Sequence, residues 1–533
     1  MALQVAPAMR DSMLKAARVC MPLLRFREIA SASAVVLALA LLGAAADAVA
    51  SIEPAQSPAA TVEQAQRGPD GSTPLQWAVF KSDADEVERL LRAGADASEA
   101  NIYGATPMQL AAETGDVAIL RLLLEAGADA DSPNSEGQTA LMAVARTGNV
   151  EAAKLLLKHG AKVDAVEQFG GQTALMWASA RRHPQMMKLL LSKGAQINAR
   201  SVVRNWERHI TAEGRAKDVN TGGLTPLLYA ARENCLECVN VLLDRRADVN
   251  LPDPDGVAPV TIAMMNGNWD VAKRLILAGA DVNQWDIYGQ APLHVAIEAG
   301  NAQAGAFGGG GGSRKSIDPM DETSGTQIIR MLVERGANPN QQMYFRAPRG
   351  AGSVSAGSRG TTPFHRACAS GDVELIKLLL AHGADINLHQ ADGQTATMLA
   401  LAARRGGEDN VVEVLRVLHA AGADVNVVAK YHHLQRLRGG TALHVATRLG
   451  LKKALAELVA EGADVNARDP DGLTALDYAM SRGYIPFLAQ KAPVREDLAK
   501  LLRGWGATVE LARTPDWPPV GPPIGYEATI WPL

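Results

Sequence analysis

The chain has 533 residues, with 57 acidic and 53 basic side chains and a formal net charge of −4. A balance so close to neutrality excludes the overall basic surface of a general nucleic-acid-binding protein. Length alone would allow three or four domains. An internal repeat, described below, replaces that estimate with a single stack of small units.

The first fifty residues differ in composition from the rest. Five basic side chains lie within residues 10–27, an apolar run follows at 34–46, and the small residues Ala48–Ala50 close it. This order is typical of a secretory signal peptide, so we predict that residues 1–50 are removed by cleavage after Ala50. The alternatives are an uncleaved signal anchor and a true translation start at Met21.

Positive charge ahead of the apolar run predicts that the remainder of the chain lies outside the cytoplasm in either case. We therefore expect a periplasmic or secreted protein of bacterial type, or a membrane-anchored one if the signal is not cleaved. Residues 51–70 are rich in Pro, Ala and Gln. They predict a flexible linker.

A unit of two short helices follows. Thr106 is a good N-cap residue and Pro107 suits the first helical position, so a helix is predicted to begin there. Gly115 ends that helix, and Asp116 can cap a second helix whose apolar residues recur at helical spacing. Gly127 ends the second helix, and polar turn-forming residues lead to the next copy.

The opening residue of this unit recurs along the chain, and six of the ten gaps between successive openings are 33 residues long. The openings are Thr73, Thr106, Thr139, Thr173, Thr225, Ala258, Ala291, Thr362, Thr395, Thr441 and Thr474. Motifs such as TPLQWA, APLHVA and TALHVA follow these openings, and GADVN or GADIN closes several units. With this period and these motifs, the chain resembles the ankyrin repeat family over residues 71–510.

The resemblance implies an all-α solenoid of about eleven helix-turn-helix repeats, joined by β-hairpin connections called fingers. It also implies a non-enzymatic scaffold that binds another protein through its concave face and fingers. His294, His365 and His444 occupy the fourth motif position, where the family uses histidine for hydrogen bonds between repeats. We expect no cofactor, no metal site, no catalytic residue and a monomer.

Five insertions interrupt the regular spacing. Three lie in the connections between repeats, at 199–217, 341–359 and 427–439. Two lie between the paired helices of one repeat, at 302–325 and 404–410. The Pro-rich residues 511–533 predict an extended C-terminal tail, because so many prolines are incompatible with a helix.

Each of the three finger insertions carries a net charge of +3 and contains aromatic or imidazole side chains. Arginine beside Trp or Tyr is the composition of binding hot spots. The candidate binding residues are Arg204, Trp206, Arg208, Tyr344, Arg346, Arg349, Tyr431, His432, Arg436 and Arg438. The hypothesis is a cationic edge for an acidic protein partner. The alternatives are a glycan or cell-envelope ligand, and loops that are merely solvated.

Cys235 and Cys238 lie one helical turn apart at the start of a predicted helix. This spacing suits a disulfide, and an exported location favours oxidation. Reduced packing residues and a redox-active pair are the alternatives. Cys368 occupies a small core position. The glycine run at 308–312 fails as a phosphate-binding loop, because Arg314 stands where a second glycine is required.

Overall fold

The structure is a computed structural model. It describes residues 67–207, 218–302, 321–344, 359–403, 405–429, 439–470, 472–480, 484–485, 490–491 and 494–508. The predicted signal segment, most of the predicted linker and the Pro-rich tail lie outside the described residues.

Twenty-two helices in this part of the chain form eleven consecutive pairs, one pair per repeat. In chain order, the helices of the first six repeats are α1 Pro74–Phe80, α2 Ala84–Arg92, α3 Pro107–Thr114, α4 Val117–Glu125, α5 Ala140–Thr147, α6 Val150–Lys158, α7 Ala174–Ala180, α8 Pro184–Ser192, α9 Pro226–Arg232, α10 Leu236–Asp244, α11 Pro259–Met265 and α12 Trp269–Leu277. Those of the last five are α13 Pro292–Ala302, α14 Gly325–Glu334, α15 Pro363–Ser370, α16 Val373–Ala381, α17 Ala396–Leu401, α18 Gly407–Ala420, α19 Ala442–Leu449, α20 Lys452–Ala460, α21 Ala475–Ala479 and α22 Glu496–Gly504. The expected solenoid of about eleven repeats is confirmed.

Local capping explains where α3 and α4 begin. The hydroxyl of Thr106 accepts a hydrogen bond from the amide of Gln109, and Pro107 opens α3. The carboxylate of Asp116 accepts from two amides in the first turn of α4. Gly115 ends α3 at a φ of 75°, a left-handed conformation that suits glycine. The predicted caps of this unit are therefore confirmed.

Hydrophobic burial joins each helix pair to its neighbours. The first helix of ten of the eleven repeats presents alanine at the sixth motif position, as at Ala111, and the second helix presents leucines such as Leu120 and Leu123. All three are fully buried. Burying one leucine side chain contributes about 1.5–3 kcal/mol, so the stack as a whole supplies a core that one repeat could not.

Asparagine side chains tie several closing motifs to the closing motif of the next repeat. The amide group of Asn340 donates to the carbonyl of Gly383 at 2.8 Å, and its oxygen accepts from the amide of Asp385 at 2.7 Å. The same two bonds recur from Asn283, Asn426 and Asn466 to the following repeat. The recurrence of the closing Asn in the sequence therefore has a physical cause.

Histidines at the fourth motif position, on the first helices, also join neighbouring repeats. Nε2 of His365 lies 3.0 Å from the carbonyl oxygen of Leu388, and Nδ1 accepts from the amide of Thr362 at 3.1 Å. His444 bonds to Leu473 in the same way, and His294 to the carbonyl of Thr361. The expected structural role of all three histidines is confirmed. We call the buried polar side chains of the first helices at the boundary between repeats, which are these three histidines, Gln109 and Arg366, the inter-repeat seam.

Two small antiparallel ribbons accompany the helices in the described residues. Strands β1 Val203–Glu207 and β2 Asp218–Gly222 pair from Val203 opposite Gly222 to Glu207 opposite Asp218. They form the expected hairpin finger between the fourth and fifth repeats. Strands β3 Tyr484–Ile485 and β4 Gln490–Lys491 pair between the two helices of the last repeat.

Candidate protein-binding surface

The finger tips form a row in which six backbone hydrogen bonds each join one tip to the tip before it. Each bond runs from a backbone amide on one finger to a backbone carbonyl on the preceding finger, at 2.7–3.2 Å. The donor and acceptor pairs are Ile102 and Asp70, Gln168 and Glu136, Val202 and Gly170, Ile287 and Asp255, Tyr344 and Tyr288, and Ala391 and Arg359. Side chains on these tips are therefore held in fixed relative positions.

A side-chain oxygen closes the turn at several finger tips. Oδ1 of Asn101 accepts from the amides of Tyr103 and Ala105, both at 3.0 Å. Asp286 accepts two amides in the same way at 2.9 Å. Burial raises the pKa of the Asp286 carboxyl to about 6, although those two hydrogen bonds oppose the rise. Burial also raises the pKa of Asp253 in the neighbouring turn.

Arg204, a predicted binding residue, lies against the preceding finger. Its guanidinium carbon is 4.1 Å from the centre of the Phe169 ring, and its Nη2 donates to the carbonyl oxygen of Phe169. Phe169 is 70% exposed, and Val202 and Val203 beside it are about half exposed. We call Phe169, Val202, Val203 and Arg204 the Phe169 cluster. It presents an aromatic ring, two branched side chains and one positive charge to solvent.

Tyr344, another predicted binding residue, belongs to a second cluster three repeats further on. Its ring meets that of Trp285, on the preceding finger, edge to face at 5.4 Å between ring centres. Both rings are about half exposed, at 50% for Trp285 and 48% for Tyr344. Nε of Arg359 donates to the carbonyl oxygen of Tyr344 at 3.0 Å. We call Trp285 and Tyr344 the Trp285 cluster.

The remaining predicted binding residues are not placed by side-chain contacts. Trp206 lies in β1, where its backbone is opposite Val219. The others lie outside the described residues, and they are Arg208, Arg346, Arg349, Tyr431, His432, Arg436 and Arg438. Their roles stay predictions.

Four exposed residues of the finger row were not predicted from the sequence. They are Ile102, Tyr103, Phe169 and Trp285, each at least half exposed. A signal was present, because each lies three to six residues before the opening residue of a repeat. Regular units place polar turn formers in that connection, so large apolar residues there mark an exposed patch.

Comparison with known proteins identifies the repeat. A family model described as ankyrin repeats (3 copies) matches residues 46–134, 111–201, 227–305, 325–429 and 399–492, more than half of the chain. The chain belongs to the ankyrin repeat family. Repeats of this family are typically interaction modules without enzymatic activity of their own, so protein binding is the class of function that the fold supports.

Curated relatives match only part of this chain. The ankyrin repeat protein nuc-2 of Neurospora crassa is 29% identical over 187 residues, which cover 35% of this chain and 16% of that protein. The nuclear factor NF-kappa-B p105 subunit of Gallus gallus is 33% identical over 171 residues, covering 31% of this chain and 15% of that protein. The chain thus spans less than a fifth of either relative's length.

Among solved structures, the ankyrin repeat domain of Bcl-3 is similar to this chain. It is 25% identical, with a TM-score of 0.37. The match covers 49% of this chain and 99% of the Bcl-3 domain.

The first helices of the ankyrin repeats carry further exposed aromatic residues. Trp77 and Phe80 on α1 meet edge to face at 6.0 Å between ring centres. In the eighth repeat the equivalent position holds Arg366, which is buried and forms a 2.7 Å ion pair with Glu298 of the seventh. Nη1 of Arg366 also donates to the carbonyl of His294 at 2.8 Å. At this position the first helix of the eighth repeat is bonded to that of the seventh, so it stabilises the stack.

The cysteines lie away from the finger row. Cys235 and Cys238 are joined by a disulfide at the start of α10. Cys368 is fully buried, and burial strongly raises the pKa of its thiol. No group of three or more His, Cys, Asp or Glu residues could hold a metal ion in the described part of the chain.

Proposed function

We propose that this ankyrin protein is an exported, non-enzymatic scaffold that binds another protein along its finger row and the concave face of its first helices. The observation that carries the proposal is the pair of exposed clusters on the row, one around Phe169 and one around Trp285. Each combines an aromatic side chain on one finger with a residue from the next, so two fingers shape each contact point.

Preorganisation supports a binding role for these clusters. Aromatic side chains cover a large contact area and lose little conformational freedom on binding, which makes them frequent hot spots. A backbone bond joins the two fingers of each cluster, from Val202 to Gly170 and from Tyr344 to Tyr288, and this preorganisation lowers the entropic cost of association. The two clusters are three repeats apart, roughly 30 Å at about 10 Å per packed helix, so an extended partner would reach both.

Charge supports an acidic partner. Each finger insertion carries a net charge of +3 in a chain whose net charge is −4. Positive side chains at the rim of an interface mainly raise the association rate and improve selection among partners. We therefore expect association to slow as salt increases, with a smaller change in dissociation.

Export is the second part of the proposal and rests on the basic, apolar and small-residue order of residues 10–50. The described part of the chain contains no helix long and apolar enough to cross a bilayer. N-terminal sequencing of the protein recovered from the producing cell tests this part. A mature chain that starts at Ser51 supports export with cleavage, and an intact Met1 or Met21 terminus in the cytoplasmic fraction contradicts it.

Capture from an envelope extract tests the binding surface. The bait is the chain from residue 51 onwards, compared with a Phe169→Ala, Trp285→Ala double variant and with a Leu277→Ala control. Leu277 ends α12 and is similarly exposed, at 54%, but it lies outside the finger row. We expect one discrete protein to be retained by the wild type and the control and lost by the double variant.

Other outcomes would redirect the proposal. Retention by all three baits would move the binding site away from the two clusters. Capture of polysaccharide without protein, abolished by moderate salt, would favour a glycan or cell-envelope ligand held by the basic fingers. Loss from the Leu277→Ala bait as well would mean that removal of any exposed apolar side chain is enough to abolish capture.

A further inference from the structure

An open cavity of about 350 Å³ lies on the helix-turn side of the stack, away from the finger row. It is built from the turns between paired helices in the fourth, fifth and sixth repeats and from the end of the insertion at 302–325. The lining includes Arg182, Asn234, Cys235, Glu237, Asp270 and Asp321. Cys235, which forms a disulfide with Cys238, therefore lines a space large enough for a small molecule.

Hydrogen bonds fix two acidic walls of this cavity. Oδ2 of Asp321 accepts from the amide of Trp269 at 2.8 Å, at the first turn of α12. Asp270 accepts from the amides of Glu322 and Thr323 at 2.9 and 3.0 Å. These bonds hold the end of the insertion onto the sixth repeat, so the cavity keeps its shape without a ligand.

Of the two disulfide cysteines, Cys235 is the one that lines the cavity. Cys235 is 5% exposed, whereas Cys238 is fully buried in the core. Cys235 is also the N-cap of α10, and its Sγ accepts from the amide of Cys238 at 3.2 Å. A thiolate at that position gains the same amide and the positive end of the helix.

The location of this disulfide argues against a purely structural role, because the cross-link stabilises the fold little. Stabilisation by a cross-link grows with the length of the closed loop, and this one joins residues only three apart within one helix start. It links no two repeats. In five other repeats the same cap position holds Asp or Asn, as at Asp116 and Asn149, which are better hydrogen-bond acceptors than sulfur.

We propose that Cys235 and Cys238 form a reversible thiol–disulfide exchange site whose cavity admits a small thiol bearing a positively charged amine. The lining carries three carboxylates and one guanidinium. A cleft with this charge balance concentrates cations and repels anionic thiols. Glu237, which also pairs with Lys188 at 3.2 Å, is the most accessible of the three acids.

The exchange balances in two steps. A thiolate enters the cavity and attacks Sγ of Cys235; a mixed disulfide forms, the Cys235–Cys238 bond breaks, and Cys238 leaves as a thiolate that takes a proton from water. A second thiolate then attacks the small molecule's sulfur and releases Cys235 as a thiolate. Two thiols are oxidised to one small disulfide, and the protein disulfide gains two electrons.

The test uses the full chain carrying Cys20→Ser and Cys368→Ala, so that only the pair can react. Reduction under native conditions by cysteamine is compared with reduction by anionic 2-mercaptoethanesulfonate, each rate being divided by that thiol's rate with a free model disulfide. We expect the normalised rate with cysteamine to be about tenfold higher. Glu237→Gln should reduce that preference, and Glu334→Gln on α14 should leave it unchanged.

Mixed-disulfide trapping identifies the attacked sulfur. With cystamine, Cys238→Ser should trap an adduct on Cys235, and Cys235→Ser should trap little, with circular dichroism confirming that both variants fold. Equal trapping by the two variants, or reduction of the wild-type pair only at the rate of global unfolding, would overturn the exchange site. Equal normalised rates for the two thiols would overturn the assignment to cationic thiols. None of these readouts depends on protein capture by the finger row.

Discussion

The inter-repeat seam buries polar side chains, whereas the finger row exposes aromatic ones. At the seam, His365 and Arg366 are buried and each hydrogen-bonds a carbonyl oxygen. On the row, Phe169 and Trp285 are at least half exposed. Buried polar groups cost stability when a partner is removed, whereas exposed aromatic groups affect stability little and binding strongly. Substitutions at the two regions should therefore separate folding from binding.

The largest expected effect is a loss in the free energy of unfolding when acid protonates the histidines of the seam. Burial lowers the pKa of His365 and of His444 to about 4, and that of His294 as well. Because each folded pKa lies below its unfolded value of about 6.5, stability is complete above pH 6.5 and falls as the pH drops towards 4. For His365 and His444, a shift of this size corresponds to about 3 kcal/mol each. Urea unfolding at several pH values measures the loss.

Asp286 opposes this trend, because its pKa is raised to about 6 and it favours the folded state as the pH falls from 6 to 4. The pKa of Asp253 is raised as well, so three histidines are set against two carboxyls and we expect acid to destabilise the protein on balance. His365→Gln provides the matched variant, since Gln76 fills the same motif position and bonds to the carbonyls of Glu99 and Ala105. The variant should have a shallower pH dependence. An unchanged slope would show that His365 does not titrate on unfolding.

Arg366→Met should have the next largest effect. It leaves the partly buried Glu298 carboxylate without its ion pair and removes the bond to the His294 carbonyl. We expect a loss of about 3 kcal/mol in the free energy of unfolding. Adding Glu298→Gln should recover much of that loss, and two additive losses in this double-mutant cycle would contradict coupling across the seam.

Gln109 is a buried residue of the seam without side-chain hydrogen bonds. Its substitution should have a smaller effect and should increase stability. Neither atom of its side-chain amide group has a hydrogen-bond partner among the described residues, although the residue is buried. Methionine fills the same motif position at Met142 and Met176. Gln109→Met should therefore raise the free energy of unfolding by about 1 kcal/mol. A loss of similar size would mean that the amide has a partner in solution.

Phe169→Ala should change stability least. It removes an exposed ring and its contact with Arg204, which together contribute below about 1 kcal/mol. Affinity for the captured partner should fall about 30-fold, as expected for a hot-spot residue worth about 2 kcal/mol. Calorimetric titration and urea unfolding of the same sample separate the two effects. A large loss of stability would assign Phe169 to the fold.

The sequence predicted the parts of the molecule that depend on short spacing. Thr106 and Asp116 cap helices a few residues away, and the closing asparagines bond to the next regular unit. Contacts across an insertion were not predictable. Arg366 and Glu298 are 68 residues apart in the chain, and Asp321 reaches Trp269 from the far end of an insertion.

The candidate surface was predicted only in part. A search for positive charge led to Arg204 but not to Phe169, the ring against which it packs 35 residues earlier. The pairing depends on how two neighbouring fingers stack, which composition does not specify. The basic residues of the longer fingers lie largely outside the described residues, and their contribution stays a prediction.

Site-specific photo-cross-linking tests the proposed binding surface most directly. A photoreactive phenylalanine analogue is placed at Phe169, at Trp285 or, as a control, at Leu277 in the chain from residue 51 onwards, and each protein is irradiated with envelope extract. We expect the same protein to be cross-linked from positions 169 and 285 and not from 277. Cross-linking that is equal at all three positions, or confined to 277, would contradict binding along the finger row.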